Sequence, residues 1–96
     1  MIARDRAGGG AVEPVVTLYT KPGCHLCEPV AETIAAAAKV RRFSYVTRNI
    51  LEDAEDFARY RYAIPVVTVD GREVARYRLS LPQLIAAIDG GTDPVR

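Results

Sequence analysis

The chain has 96 residues, about half of them apolar and a quarter charged, and a formal net charge of +1. That length holds one core, and so even a balance gives no bulk attraction to nucleic acid or to an anionic membrane. No apolar run approaches the ~20 residues of a membrane span, and MIARDRAGGGAVEP lacks the apolar centre of a signal peptide, so a cytoplasmic location is expected.

Residues 1–13 read as a flexible arm, because Gly8-Gly9-Gly10 has no side chain to bury and much backbone entropy to lose. Residues 91–96 read as a similar tail, which leaves one domain at 14–90. Val15–Thr20, VVTLYT, is β-branched, aromatic and nearly continuously apolar, the pattern of a strand buried on both faces. Pro22-Gly23 breaks it. Cys27, Val30, Ile34, Ala37 and Ala38 then fall on one stripe at helical spacing, and Ala35–Ala38 has high helix propensity. Pro29 lies too deep for a helix that begins near Cys24, so a bend or a late start is expected.

Phe43–Thr47 predicts the second strand. Asn49 reads as the N-cap of a helix from Leu51 to about Tyr60, with Glu52 as its capping-box partner. Leu51, Ala54, Phe57 and Ala58 would face inward, and the acids-first, arginines-last order suits the helix dipole. Val66–Val69 is the third strand, Asp70-Gly71 a two-residue hairpin turn, and Glu73–Leu79 the return strand. Ser80 caps the last helix, with Pro82 in its first turn, Gln83 at the capping-box position, Leu84, Ile85 and Ile88 inward, and Gly90 as the stop. The order βαβ-α-ββα implies a parallel pair with a right-handed crossover and an antiparallel hairpin. The expected fold class is α/β, a four-stranded mixed sheet flanked by helices.

Both cysteines and the lone histidine lie in YTKPGCHLCEPV. Cys24 falls where loop gives way to helix, where unpaired N–H groups and the dipole favour a thiolate. Lys21 and His25 add positive charge, ranked lower because exposed charges are screened. Cys27 lies one turn on, on the apolar stripe, within disulfide reach and more buried. Such a pair suits exchange: Cys24 attacks a disulfide and Cys27 resolves the mixed disulfide. A reducing compartment disfavours a structural bridge. Zinc wants four ligands, and no second cysteine pair exists, so no bound metal is expected. Two inert core cysteines remain an open reading. His25 reads as an exposed residue that tunes the pair, with a direct acid–base role as the rival.

Strand, KPGCHLC, helix, strand, helix and then AIPVVTVDGREV resembles the thioredoxin superfamily, most closely its small glutaredoxin-like proteins, over about residues 14–89. The resemblance implies a thioredoxin fold and a cis Ile64–Pro65 bond that turns the Ile64 backbone toward the cysteines. Thioredoxins usually carry Trp before the pair and a buried acid on a central strand. This chain has no Trp, and Val15–Thr20 has no acid. Lys21 matches the glutaredoxin lysine that pairs with a glutathione carboxylate. Ala63-Ile64 stands where Thr-Val is usual, and Arg76, Tyr77 and Arg78 stand in place of a Gly-Gly pair. PGCHLC and YRL resemble a distinct glutaredoxin-like family.

The resemblance implies a thiol–disulfide oxidoreductase with Cys24 as nucleophile and Cys27 as resolving thiol. Its expected substrate contacts are Lys21, Gly23, His25, Leu26, Ile64, Pro65, Arg76 and Arg78. No resident cofactor is expected; glutathione or another low-molecular-weight thiol is the candidate co-substrate. A protein disulfide, a small thiol and a reductase are the candidate partners of a monomer. Arg76 and Arg78 read equally well as charges that keep an edge strand from aggregating. Two rivals stay open: a relative that holds a [2Fe–2S] cluster across a dimer, and a non-catalytic binding module on the same fold.

Overall fold

Side chains alternate across a strand, so a central strand with helices above and below must divide its apolar residues between two layers. A computed structural model, which describes residues 13–90, shows that division. The elements are β1 (Val15–Thr20), α1 (Cys27–Ala38), β2 (Ser44–Asn49), a 3₁₀ turn (Ile50–Glu52), α2 (Ala54–Tyr60), β3 (Val66–Val69), β4 (Arg72–Arg76) and α3 (Leu81–Ile88). The expected tail at 91–96, and the expected arm except Glu13, lie outside the described residues. The strand order is β2-β1-β3-β4. β1 pairs parallel with β2 and antiparallel with β3, and β3 pairs antiparallel with β4. This is the expected mixed sheet.

Val16 and Leu18 of β1, with Val67 and Val69 of β3, pack against Val30, Ile34 and Ala37 of α1 and Leu84 and Ala87 of α3. The opposite layer is smaller: Ile50, Tyr60, Ala63 and Val66, with Tyr19 and Ile64 packed against them. That difference corrects the expectation that β1 is buried on both faces. Thr17 and Tyr19 are only half-buried and Val15 is exposed, because one short helix and one turn cannot cover the whole second face.

The late start is the alternative that α1 adopts. It begins at Cys27, so Pro29 is its third residue, where an N–H would have no intrahelical acceptor. Ala38, expected on the buried stripe, ends the helix exposed. β2 starts one residue later than expected and runs two further, because it stays in register with β1 from Val15↔Ser44 to Thr20↔Asn49.

The expected helix from Leu51 is split. Asn49 Oδ1 accepts from the Leu51 N–H at 2.9 Å and caps only the 3₁₀ turn, so Glu52 completes no capping box. Asp53 is extended and caps α2, accepting from the N–H groups of Glu55 at 2.9 Å and Asp56 at 3.0 Å. The break rotates the helix. Leu51, Ala54, Phe57 and Ala58 end up exposed, and Ile50, Asp56 and Tyr60 face inward. Burial of the Asp56 carboxylate is offset by Arg48, whose Nε donates to it at 2.8 Å.

Asp70 (φ 52°) and Gly71 (φ 84°) take the two left-handed positions of a tight hairpin turn. Asp70 also ties this turn to β1. Its carboxylate accepts from the Val15 N–H and its own N–H donates to the Val15 carbonyl, both at 2.9 Å. β4 stops at Arg76 rather than Leu79, because Tyr77 (φ 68°) turns the chain out of the ladder. The capping box of α3 forms as expected: Ser80 Oγ accepts from the Gln83 N–H at 3.2 Å, and Gln83 Oε1 accepts from the Ser80 N–H at 3.3 Å. Leu84 is buried and Ile85 and Ile88 half-buried, as the inward face requires. No helix of the described residues is long and apolar enough to cross a membrane.

Two tests follow from this packing. Leu84→Ala removes a fully buried side chain and should cost about 2–5 kcal/mol, read as a lower urea midpoint. Hydrogen bonds from the Asp56 and Glu55 N–H groups, then Arg48, hold the Asp53 carboxyl below its ordinary range. Its stabilisation is therefore complete above about pH 4 and lost as pH falls through the lower folded value. Asp53→Asn keeps a capping oxygen without the charge, so its stability should fall less steeply on acidification than that of the parent.

Candidate redox site

Strand register brings the chemistry to one end of the sheet. Tyr19 pairs with Val66, and Val66 with Arg76, so the loop leaving β1, the loop entering β3 and the segment leaving β4 emerge together. Thr20 pairs with Asn49, which adds the end of β2.

The loop after β1 carries the cysteines. Gly23 takes φ 80°, and a Cβ there would meet nothing within 4 Å, so the demand for glycine is conformational rather than steric. The Cys24 N–H donates to the Lys21 carbonyl at 3.3 Å. The N–H groups of Cys27 and Glu28 donate to the carbonyls of Cys24 and His25, each at 3.3 Å. This tight turn leads directly into α1. Cys24 thus stands three residues before the helix, not at its first position, while Cys27 opens it.

Cys24 and Cys27 are joined as a disulfide with Cα atoms 5.4 Å apart. The two cysteines are unequally buried: Cys27, the first residue of α1, is 7% exposed, whereas Cys24 is half-buried. The pair opens on a groove of about 340 Å³. Of the residues expected to contact substrate, Lys21, Gly23 and His25 line it. Leu26, Ile64, Pro65, Arg76 and Arg78 do not. Leu26 is exposed on the turn between the cysteines. The Ile64–Pro65 bond is cis; Pro65 is buried and Ile64 packs into the second layer beside Tyr60 and Val66. Arg76 is ion-paired with Glu73, and Arg78 is exposed.

The rest of the groove escaped the sequence reading. Ala31 and Glu28 supply its helix wall, and Tyr45 and Thr47 its strand wall. Val16↔Tyr45 and Leu18↔Thr47 are cross-strand partners, so the two β2 residues share the α1 face with Val16 and Leu18. β2 is an edge strand that reaches past α1, which leaves that part of the sheet uncovered. The available signal was the alternation Tyr45, Thr47 in a strand expected to pair parallel with Val15–Thr20. Burial pushes the Tyr45 phenol above its usual range, so it stays a neutral hydrogen-bond donor at neutral pH.

The opposite face holds a second polar group. Tyr19 and Tyr60 rings lie 4.6 Å apart, and the Arg48 guanidinium sits 5.9 Å from the Tyr19 ring while holding Asp56. Burial, then Tyr60 and Asp56, raise the Tyr19 phenol, and it too stays protonated. Tyr77 lies at the open end of the sheet. For a bulky residue φ 68° costs about 1–3 kcal/mol. Two bonds hold it there: its N–H to the Pro65 carbonyl at 2.8 Å and its hydroxyl to the Tyr62 carbonyl at 2.7 Å. Among the described residues no group of three or more His, Cys, Asp or Glu is gathered as metal ligands would be.

Comparison with known proteins bears on the family and the fold. The family model described as Glutaredoxin-like domain (DUF836) matches residues 15–89. The chain is similar to the X-ray structure of target protein XcR50 from X. campestris, at 30% identity over 78% of this chain and 96% of that one, with a TM-score of 0.63. It shares a fold with protein Ne2328 from Nitrosomonas europaea, at 21% identity over 88% and 96% of the two chains and a TM-score of 0.68. It also shares one with Fasciola hepatica thioredoxin, at 22% identity over 83% and 82% of the chains and a TM-score of 0.56. No curated protein matched the chain.

The unequal burial of the two cysteines has a direct readout. After reduction, a limiting amount of iodoacetamide should label Cys24 about tenfold or more ahead of Cys27, as counted by peptide mass spectrometry.

Proposed function

The chain belongs to the glutaredoxin-like domain family, and from that premise we propose that it is a cytoplasmic thiol–disulfide oxidoreductase working through Cys24 and Cys27. One observation carries the reading: a disulfide between a buried and a half-buried cysteine, both lining a groove. In the reduced protein the Cys24 thiolate attacks one sulfur of a substrate disulfide and expels the other as a thiolate. The Cys27 thiol gives up its proton and attacks Cys24, which releases the second substrate thiolate. Two electrons pass to the substrate, its two thiols take up two protons, and the Cys24–Cys27 bond reforms.

The turn before α1 supports Cys24 in this role. Cys24 precedes by three residues the positive end of a 12-residue helix, a partial charge that favours the anion, and each unit by which a thiol pKa falls corresponds to about 1.4 kcal/mol. Lys21 and His25 flank the groove; the Lys21 ammonium supplies positive charge, and the His25 ring a hydrogen-bonding group, for an anionic thiol such as glutathione. No resident cofactor is needed, because the electrons are stored in the disulfide itself. A small thiol or a reductase restores the dithiol, and the protein acts as a monomer.

In a disulfide-reduction assay Cys24→Ser should abolish turnover. Cys27→Ser should stop after the first exchange and carry a covalent substrate adduct on Cys24, visible by intact mass. Wild-type turnover by Cys24→Ser would overturn the mechanism.

A further inference from the structure

Resting on the dithiol reading, we propose that Tyr62 and Tyr77 form a rigid docking shelf for a protein substrate whose disulfide is flanked by acidic residues. The shelf and the groove lie on opposite sides of the cysteine loop. The groove is walled by β2, whereas Tyr62 precedes β3 and Tyr77 follows β4 in a sheet ordered β2-β1-β3-β4. The segments that carry the two tyrosines leave the same end of the sheet as the cysteine loop, on the β3–β4 side, and the groove lies on the β2 side.

Tyr62 is 78% exposed and Tyr77 46%. Neither ring contributes to the buried core, yet both are fixed in place. The Tyr77 hydroxyl donates to the Tyr62 carbonyl at 2.7 Å and the Tyr77 N–H to the Pro65 carbonyl at 2.8 Å. The Arg61 guanidinium stacks 4.6 Å from the Tyr62 ring and donates to its hydroxyl. Tyr77 keeps a left-handed backbone that glycine would adopt without strain. The hydroxyl bond ties this segment to the loop before β3 but leaves the ring face in solvent, and strain of this kind gathers at functional sites. Exposed, pre-ordered tyrosines beside arginines are the residues that dominate protein–protein contacts, because little side-chain entropy is lost when they are covered.

Charge selects the partner. Arg61 and Arg78 flank the two tyrosines, and neither is ion-paired with an acid among the described residues. Arg76, next to Tyr77 in the chain, is ion-paired with Glu73. An approaching segment with Asp or Glu beside its cystine would pair with Arg61 and Arg78, and a lysine-rich segment would be repelled. The exchange itself is unchanged: the substrate disulfide takes two electrons from the Cys24/Cys27 dithiol and leaves as two thiols.

The test is single-turnover oxidation of the pre-reduced protein, followed by intact mass. Three substrates are compared: a peptide with one disulfide flanked by glutamates, the same peptide flanked by lysines, and 2-hydroxyethyl disulfide. The parent should prefer the glutamate peptide to the lysine peptide by about tenfold or more. Tyr62→Ala and Tyr77→Gly should each lower the ratio of glutamate-peptide rate to 2-hydroxyethyl disulfide rate by about tenfold. Tyr77→Gly relieves the backbone strain, so misfolding would not mimic this result. Arg78→Gln should lower the glutamate-over-lysine preference. Equal losses on all substrates, or ratios that stay at the parent value, overturn the shelf. A parent protein that reduces 2-hydroxyethyl disulfide without charge preference overturns the shelf and leaves the dithiol reading standing. Failure to reduce any of the three overturns both.

Discussion

The register of β1 between β2 and β3 is the constraint on which the rest of the structure depends. It is set at the far end of the strand, where Asp70 grips Val15 with its carboxylate and its N–H. Side chains alternate with a period of two, so a slip of one residue would exchange Val16 and Leu18 with Thr17 and Tyr19. The α1–α3 layer would then close over polar atoms, and Arg48 would no longer stand beside Tyr19. The same register brings the loop after β1, the Ile64–Pro65 loop and Tyr77 to a common end. Cysteine placement is thus a consequence of hydrogen bonds made about 17–20 Å away along the strand.

At that end the fold creates inequality. The turn before α1 leaves Cys24 near the surface, and the helix packs Cys27 inward. A symmetric, fully exposed pair would give no order of attack, and a fully buried pair would exclude substrate. Its setting is also two-sided, with an apolar-walled groove over β2 and a polar-tipped aromatic shelf beyond β3. Short secondary structure is what makes both sides available. β2 outruns α1, and β4 ends early at Tyr77.

Much of this was legible in residue order. VVTLYT, the Asp70-Gly71 turn and the Ser80–Gln83 capping box are local patterns whose partners lie within a few positions, so strand, turn and cap appear where the sequence places them. The pairing of Cys24 with Cys27 was legible for the same reason. The α2 region misled because two capping residues compete there. Asn49 and Asp53 both offer side-chain oxygens, and burial of Asp56 against Arg48 favours a break at Asp53 that no local rule ranks. The groove was missed because Tyr45 and Thr47 belong to it only through their β1 partners, 29 residues earlier in each case.

The sequence by itself determined the βαβ-α-ββα order and the position of the dithiol, since each rests on spacing along the chain, and the resemblance carried by KPGCHLC and AIPVVTVDGREV pointed to the glutaredoxin-like family. Tertiary structure alone decided where α1 starts relative to Cys24, which walls the groove has and that Tyr77 is held against Tyr62 and Pro65. Those are contacts between segments far apart in the chain, and their geometry follows from strand register and layer packing rather than from any neighbouring residue.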